Sequence, residues 1–195
     1  MIKQLITATT VLATGLGIAA AQDMGGAKLG VHVGANSVLS DEVSATDGET
    51  VAVFDADPTV GFAIGATAAF AVTETFSLEA EYTYRNNEIE IDALGLEEDL
   101  ETSAFMANAI LPMMIDESTT GYFGAGLGYV AAHDSDDDGA FGWQIKTGVD
   151  FDVEGRMIGV GLTYLNAEFG DEDDGLSAEY DYESLMATVR FGFGG

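Results

Sequence analysis

Apolar positions alternate with small or polar ones along most of this chain, and a repeat of two is the side-chain period of a β-strand. The clearest case is the stretch 121–132, Gly-Tyr-Phe-Gly-Ala-Gly-Leu-Gly-Tyr-Val-Ala-Ala. Gly124, Gly126 and Gly128 occupy one face, and Phe123, Ala125, Leu127, Tyr129 and Ala131 the other. Glycine inside a strand is costly unless something needs the space. The crowded interior of a small closed barrel is such a place.

The same alternation predicts seven more strands. The first, from Ala27 to about Val38, sets Leu29, Val31, Val33 and Ala35 against Gly30, His32, Gly34 and Asn36. In the second, Val60, Phe62, Ile64, Ala66, Ala68 and Phe70 oppose Gly61, Ala63, Gly65, Thr67 and Ala69; in the third, Phe76, Leu78, Ala80, Tyr82 and Tyr84 oppose Ser77, Glu79, Glu81, Thr83 and Arg85. A fourth covers about 102–111, the glycine stretch is the fifth, and a sixth carries Trp143, Ile145, Thr147, Val149 and Phe151. Ile158, Val160, Leu162 and Tyr164 mark the seventh, and Leu185, Ala187, Val189, Phe191 and Phe193 the eighth.

Connections alternate between long (40–57, 86–99, 134–139, 170–175) and short (72–74, 112–118, 154–155). Four hairpins with both chain ends at the short-turn side give that order. The expected fold is all-β: an eight-stranded antiparallel up-and-down transmembrane β-barrel, preceded by a cleavable signal peptide.

Parity alone does not say which face lies inside, because a soluble barrel alternates as well, with its apolar face inward. Charge placement decides. Were the glycine, serine and threonine face the outer surface, it would carry almost no solubilising charge. The in-strand bases Arg85, Lys146 and Arg190 share that parity with Glu79, Glu81 and Asp150. These six are expected to form an ion-pair network that fills the lumen, because buried charges must be paired. Tyr82, Tyr84, Tyr129, Trp143, Phe151, Tyr164, Phe191 and Phe193 are placed to form interfacial girdles.

Residues 1–21 have the layout of a secretory signal: Lys3, an apolar run broken by Gly15 and Gly17, and Ala19-Ala20-Ala21 before Gln22. One barrel domain over 22–195 is expected after its removal. No other stretch is long and apolar enough to span a bilayer as a helix, so membrane crossing falls to strands.

The 195 residues carry 34 acidic and 6 basic side chains, a formal charge of −28, and no cysteine. Disulfides and thiolate sites are excluded, and nucleic acid is excluded as a partner for want of a cationic surface. With 47% hydrophobic residues the acidity is not that of a disordered tail. Twenty-five of the 34 acids fall in the four long connections and adjoining strand ends, with no Lys or Arg among them. One rim is therefore intensely anionic.

On these residues the chain resembles the outer-membrane β-barrel family of opacity-type, OmpX-like and OmpA-barrel-like surface proteins. The resemblance is carried by residues 122–129, the strand from Trp143 through Thr147-Gly148-Val149-Asp150 to Phe151, the 159–164 strand, and the closing Val189-Arg190-Phe191-Gly192-Phe193. The last is similar to the aromatic-ended signal read by the barrel-insertion machinery, except that Gly194 and Gly195 follow. The resemblance implies the outer membrane of a Gram-negative bacterium, lipid and lipopolysaccharide as surroundings, and a monomer; with the sequence stopping at strand eight, no peptidoglycan-binding domain of the OmpA sort is expected.

Candidate chemistry is sparse. His133-Asp134-Ser135 resembles the catalytic pair of lipid A deacylase barrels, but residues 145–147, where that family's acid would fall, hold no carboxylate. His32, on the small-residue parity, reads as a satisfied interior histidine. Asp134, Asp136 and Asp138 before Gly139 match the opening of a calcium loop, yet its twelfth position is Ile145 instead of a bidentate glutamate. No cofactor is expected beyond calcium or magnesium held loosely by mutually repelling loops. The leading expectation is a non-enzymatic surface barrel serving envelope integrity or surface interaction, with a small-solute or ion pore, a deacylase-like enzyme and a soluble carrier as alternatives.

Overall fold

Each alternating segment forms a strand that pairs antiparallel with its sequence neighbour. In a computed structural model of the chain, the described residues are 27–39, 42–46, 51–55, 57–58, 60–91, 96–133, 139–173 and 176–193. The strands are β1 (Ala27–Val38), β2 (Glu42–Thr46), β3 (Val51–Asp55), β4 (Asp57–Pro58), β5 (Val60–Thr73), β6 (Phe76–Ile91), β7 (Leu96–Met114), β8 (Thr119–Ala132), β9 (Ala140–Val153), β10 (Arg156–Asp173) and β11 (Leu176–Phe193). The eight long ones, β1 and β5 through β11, are the staves. Residues 1–21, the expected signal peptide, lie outside the described residues.

The sheet closes because β1 pairs with β5 on one side and β11 on the other, from Leu29↔Phe193 to Val38↔Ser184. Following the register from Thr120 on β8 through Asp150, Gly159, Arg190, His32, Gly65, Thr83 and Ala104 returns to β8 at Val130, a stagger of ten residues. For eight strands that stagger corresponds to a tilt of about 40° and a lumen that side chains can fill.

The apolar parity faces outward. Leu127 and Val160 are 57% and 53% exposed, and Phe105, Phe123, Trp143, Ile145 and Leu162 stand on the same surface. A soluble barrel would enclose these side chains, so their exposure decides between the two readings of the parity. The glycines line the inside, where space is short. A Cβ on Gly148 would lie 2.5 Å from Tyr122 Oη, and one on Gly128 would strike the Phe105 carbonyl oxygen. Outward aromatics gather toward the two ends of the staves, with Phe151, Phe191 and Phe193 near the short turns and Tyr84, Tyr129, Trp143 and Tyr164 near the long connections.

The staves run further than alternation alone indicates. β7 continues through Pro112 to Met114 instead of closing at Pro112. Its pairing with β6 ends at Ile110↔Ser77, so beyond that point only β8 is a partner and proline breaks no ladder on the open side. At the other end β6 and β7 stay paired to Ile91↔Leu96, and β10 and β11 to Asp173↔Leu176. Three of the four acidic connections thus contain paired strand rather than open loop. The first contributes the β2–β3 ribbon, which joins β11 at Ser44↔Glu179, and β4, which pairs with β6. The third connection, 134–138, lies outside the described residues. The tight turn at 154–155 is as expected, with Glu154 (φ 55°) and Gly155 (φ 77°) both left-handed, as a two-residue hairpin turn requires.

Candidate functional site

Period two puts Glu79 and Glu81 on one inward face of β6, and Lys146 reaches them across the lumen from β9, which is not a neighbour of β6. Lys146 Nζ donates to Glu79 Oε1 and Glu81 Oε2, both at 2.7 Å. Arg190 Nη2 lies 3.4 Å from Glu79 Oε2 and Nη1 3.9 Å from Asp150 Oδ2. The Arg190 guanidinium also stacks 4.5 Å from the Tyr122 ring centroid. Five of the six residues expected in a lumen network are therefore joined, as a chain of alternating sign from Asp150 to Glu81.

Neutral groups complete it. Glu81 accepts from Asn108 Nδ2 (2.8 Å), Gln144 Nε2 (2.9 Å) and Thr83 Oγ1 (3.1 Å), and His32 Nε2 lies 3.1 Å from the same Thr83 hydroxyl. The inward parity of Asn108, Gln144 and Thr83 is legible in the sequence. Their common acceptor is not, because it depends on a register running across the lumen. Such saturation is what makes a buried ion cluster tolerable, since each charge has lost its water.

Arg85 departs from the expected network. Its side chain is wholly buried, yet Nε, Nη1 and Nη2 have no hydrogen-bond partner among the described residues. The reason is positional. Arg85 stands two inward steps beyond Glu81 toward the long connections, while Glu81 is already occupied by Lys146, Asn108, Gln144 and Thr83.

Apolar side chains close the lumen on the loop side. Val38, Ala104, Met106, Val130, Ala140, Leu165, Ala167 and Tyr182 pack into one buried cluster, with Tyr182 Oη 3.4 Å from Thr102 Oγ1. At the short-turn end the lumen opens into a cavity of about 300 Å³ whose lining includes Lys28, Glu79, Tyr122, Asp150 and Arg190. In sequence from that end, the interior is an open vestibule, an ion cluster, and an apolar cap.

His133 is placed on the outer face, where Nε2 hydrogen-bonds Ser103 Oγ at 2.9 Å, and Tyr82 Oη lies 3.2 Å from the same hydroxyl. Ser135, its expected partner, is outside the described residues. The Ser103 contact was hidden in the sequence because it joins two strands. His32 is inside, as its parity indicates. Asp134, Asp136 and Asp138 lie outside the described residues, and among those described no group of three or more His, Asp or Glu could hold a metal ion.

The model of the outer membrane protein beta-barrel domain matches residues 6–193. The chain belongs to that family. As an outer-membrane barrel it is similar in structure to Neisserial surface protein A, at a TM-score of 0.55 and 17% identity over 86% of this chain and 97% of that one. It is also similar to the N-terminal β-barrel domain of Pseudomonas aeruginosa OprF (TM-score 0.44, 12% identity, covering 85% and 97%) and to the outer membrane enzyme PagL (0.43, 14%, 86% and 99%). At these identities the likeness is one of fold. No curated protein sequence matches the chain.

Proposed function

We propose that this barrel is a non-enzymatic surface protein of a Gram-negative outer membrane, presenting its acidic connections outside the cell for envelope integrity or surface interaction. The observation that carries this reading is the double closure of the lumen. An ion cluster joined from Asp150 to Glu81 and an apolar cap stand in series, and both would have to part before a solute could pass. What remains for interaction is the rim, where strands β6, β7, β10 and β11 carry acid-rich sequence beyond the apolar band.

Export by the signal at residues 1–21, recognition of the closing 189–193 strand by the barrel-insertion machinery, and a monomer surrounded by lipid and lipopolysaccharide belong to the same proposal. Calcium or magnesium shared between the acidic connections and neighbouring anionic lipopolysaccharide would relieve their mutual repulsion. The test is conductance across a planar bilayer. Purified, reconstituted protein is expected to show no sustained open state, and a stable unitary current would replace the surface reading with that of a pore.

A further inference from the structure

We propose that the upper lumen, above the ion cluster and at the level of the apolar cap, is a binding site for one small inorganic anion of halide size, held by Arg85. Arg85 is the largest fully buried side chain among the described residues, and none of its three side-chain nitrogens has a hydrogen-bond partner among them. A guanidinium offers five N–H donors and no acceptor. Stripped of water and left unpaired, its charge is among the most costly groups a fold can bury.

Three nearby inward groups also have an atom without a partner: Ser184 Oγ, Asn36 Oδ1 and Gln144 Oε1. Register brings the first two to Arg85's level. Asn36 Nδ2 donates to Asn87 Oδ1 at 2.8 Å, and Asn87 is the next inward residue after Arg85 on β6. Ser184 pairs with Val38, the next inward residue after Asn36 on β1. The acceptors left open beside the guanidinium, Ser184 Oγ, Asn36 Oδ1 and Gln144 Oε1, are all neutral, so none of them offsets its charge.

Water would likewise leave that charge in place, whereas an anion accepts from the guanidinium and cancels it. Carboxylates of the cluster do not serve, because Glu81 is occupied by Lys146, Asn108, Gln144 and Thr83, Glu79 by Lys146, Arg190 and Asn108, and Asp150 lies beside Arg190 in the cavity at the short-turn end. Leu165, Met186 and Tyr182, all fully buried, take up much of this part of the lumen, which limits the guest to a compact ion. The same cap separates that ion from the anionic rim.

The experiment is crystallography of the detergent-solubilised barrel refolded from urea with sodium bromide as its sole halide, with anomalous diffraction recorded at the bromine edge. A bromide peak within hydrogen-bond distance of the Arg85 guanidinium is expected, and its loss in Arg85→Met crystals with the ion cluster unchanged. Should Arg85→Met fail to fold, the wild-type map decides alone, together with bromide retained after exchange into gluconate. Three results overturn the proposal: only water at the guanidinium, an acidic side chain swung onto it, or bromide confined to surface positions as an adventitious ion only.

Discussion

Lys146 holds two carboxylates at once, and neither Glu79 nor Glu81 has another cation at comparable distance. Removing it strands negative charge in a place without water. Lys146→Met is expected to destabilise the barrel by about 3–5 kcal/mol, read as a lower urea midpoint in vesicles. Combining it with Glu79→Gln and Glu81→Gln should restore much of the loss, because the uncompensated charge leaves with its partner. A triple variant as weak as the single one would show that shape, not charge, is what Lys146 supplies. At this scale the sequence announced which residues face inward, since parity needs no tertiary information. It did not announce who meets whom. Glu81 collects Asn108 and Gln144 from two other strands, and His133 finds Ser103 where its own tripeptide had offered Ser135. Both pairings follow from the stagger between staves, which a linear pattern does not carry.

The turn between β7 and β8 shows how a short connection is held. Asp116 Oδ1 accepts from the Ser118 backbone N–H at 2.9 Å and from its hydroxyl at 3.1 Å. The Ser118 amide is the main reason the Asp116 carboxyl sits below its ordinary value, with the Thr119 side chain adding to it. A carboxyl held low in the folded state contributes stability that is present at neutral pH and lost as the pH falls through its folded value. Asp116 is fully exposed, so the contribution is small. The urea midpoints of wild type and Asp116→Asn are expected to differ slightly at neutral pH and to converge in acid; a gap that widened in acid would reverse the sign argued here. Among the elements, alternation located all eight staves. It missed their extension past the apolar band, as in Glu88↔Asp99 and Glu168↔Asp181, because backbone pairing continues where the outward face carries exposed acids instead of apolar side chains, and alternation stops reporting it. Pro112 hid the end of β7 for the opposite reason: a strand breaker is harmless where the ladder has only one neighbour.

For the molecule as a whole, the outward apolar band is the property on which membrane residence depends. Leu127 stands on it near mid-height of β8, and Leu127→Arg is expected to cost about 2–4 kcal/mol in a bilayer. An unchanged urea midpoint would place that face in water. Trp143, the sole tryptophan of the chain, holds its ring 5.4 Å from that of Tyr164, tilted by 53°, on the same surface. Its fluorescence should be quenched by lipids brominated on their acyl chains and little affected by aqueous acrylamide, with the reverse pattern excluding contact with lipid. The seam that closes the sheet sets the timing of all this. Leu29 finds its partner in Phe193, so the first stave waits for the last, and every stave between them must be made before any cylinder can be sealed. Until then two raw strand edges invite pairing with other chains, and the slowest, longest-range contact is the one that removes them. Escort of the unfolded ribbon from synthesis to membrane is thus a requirement written into the topology.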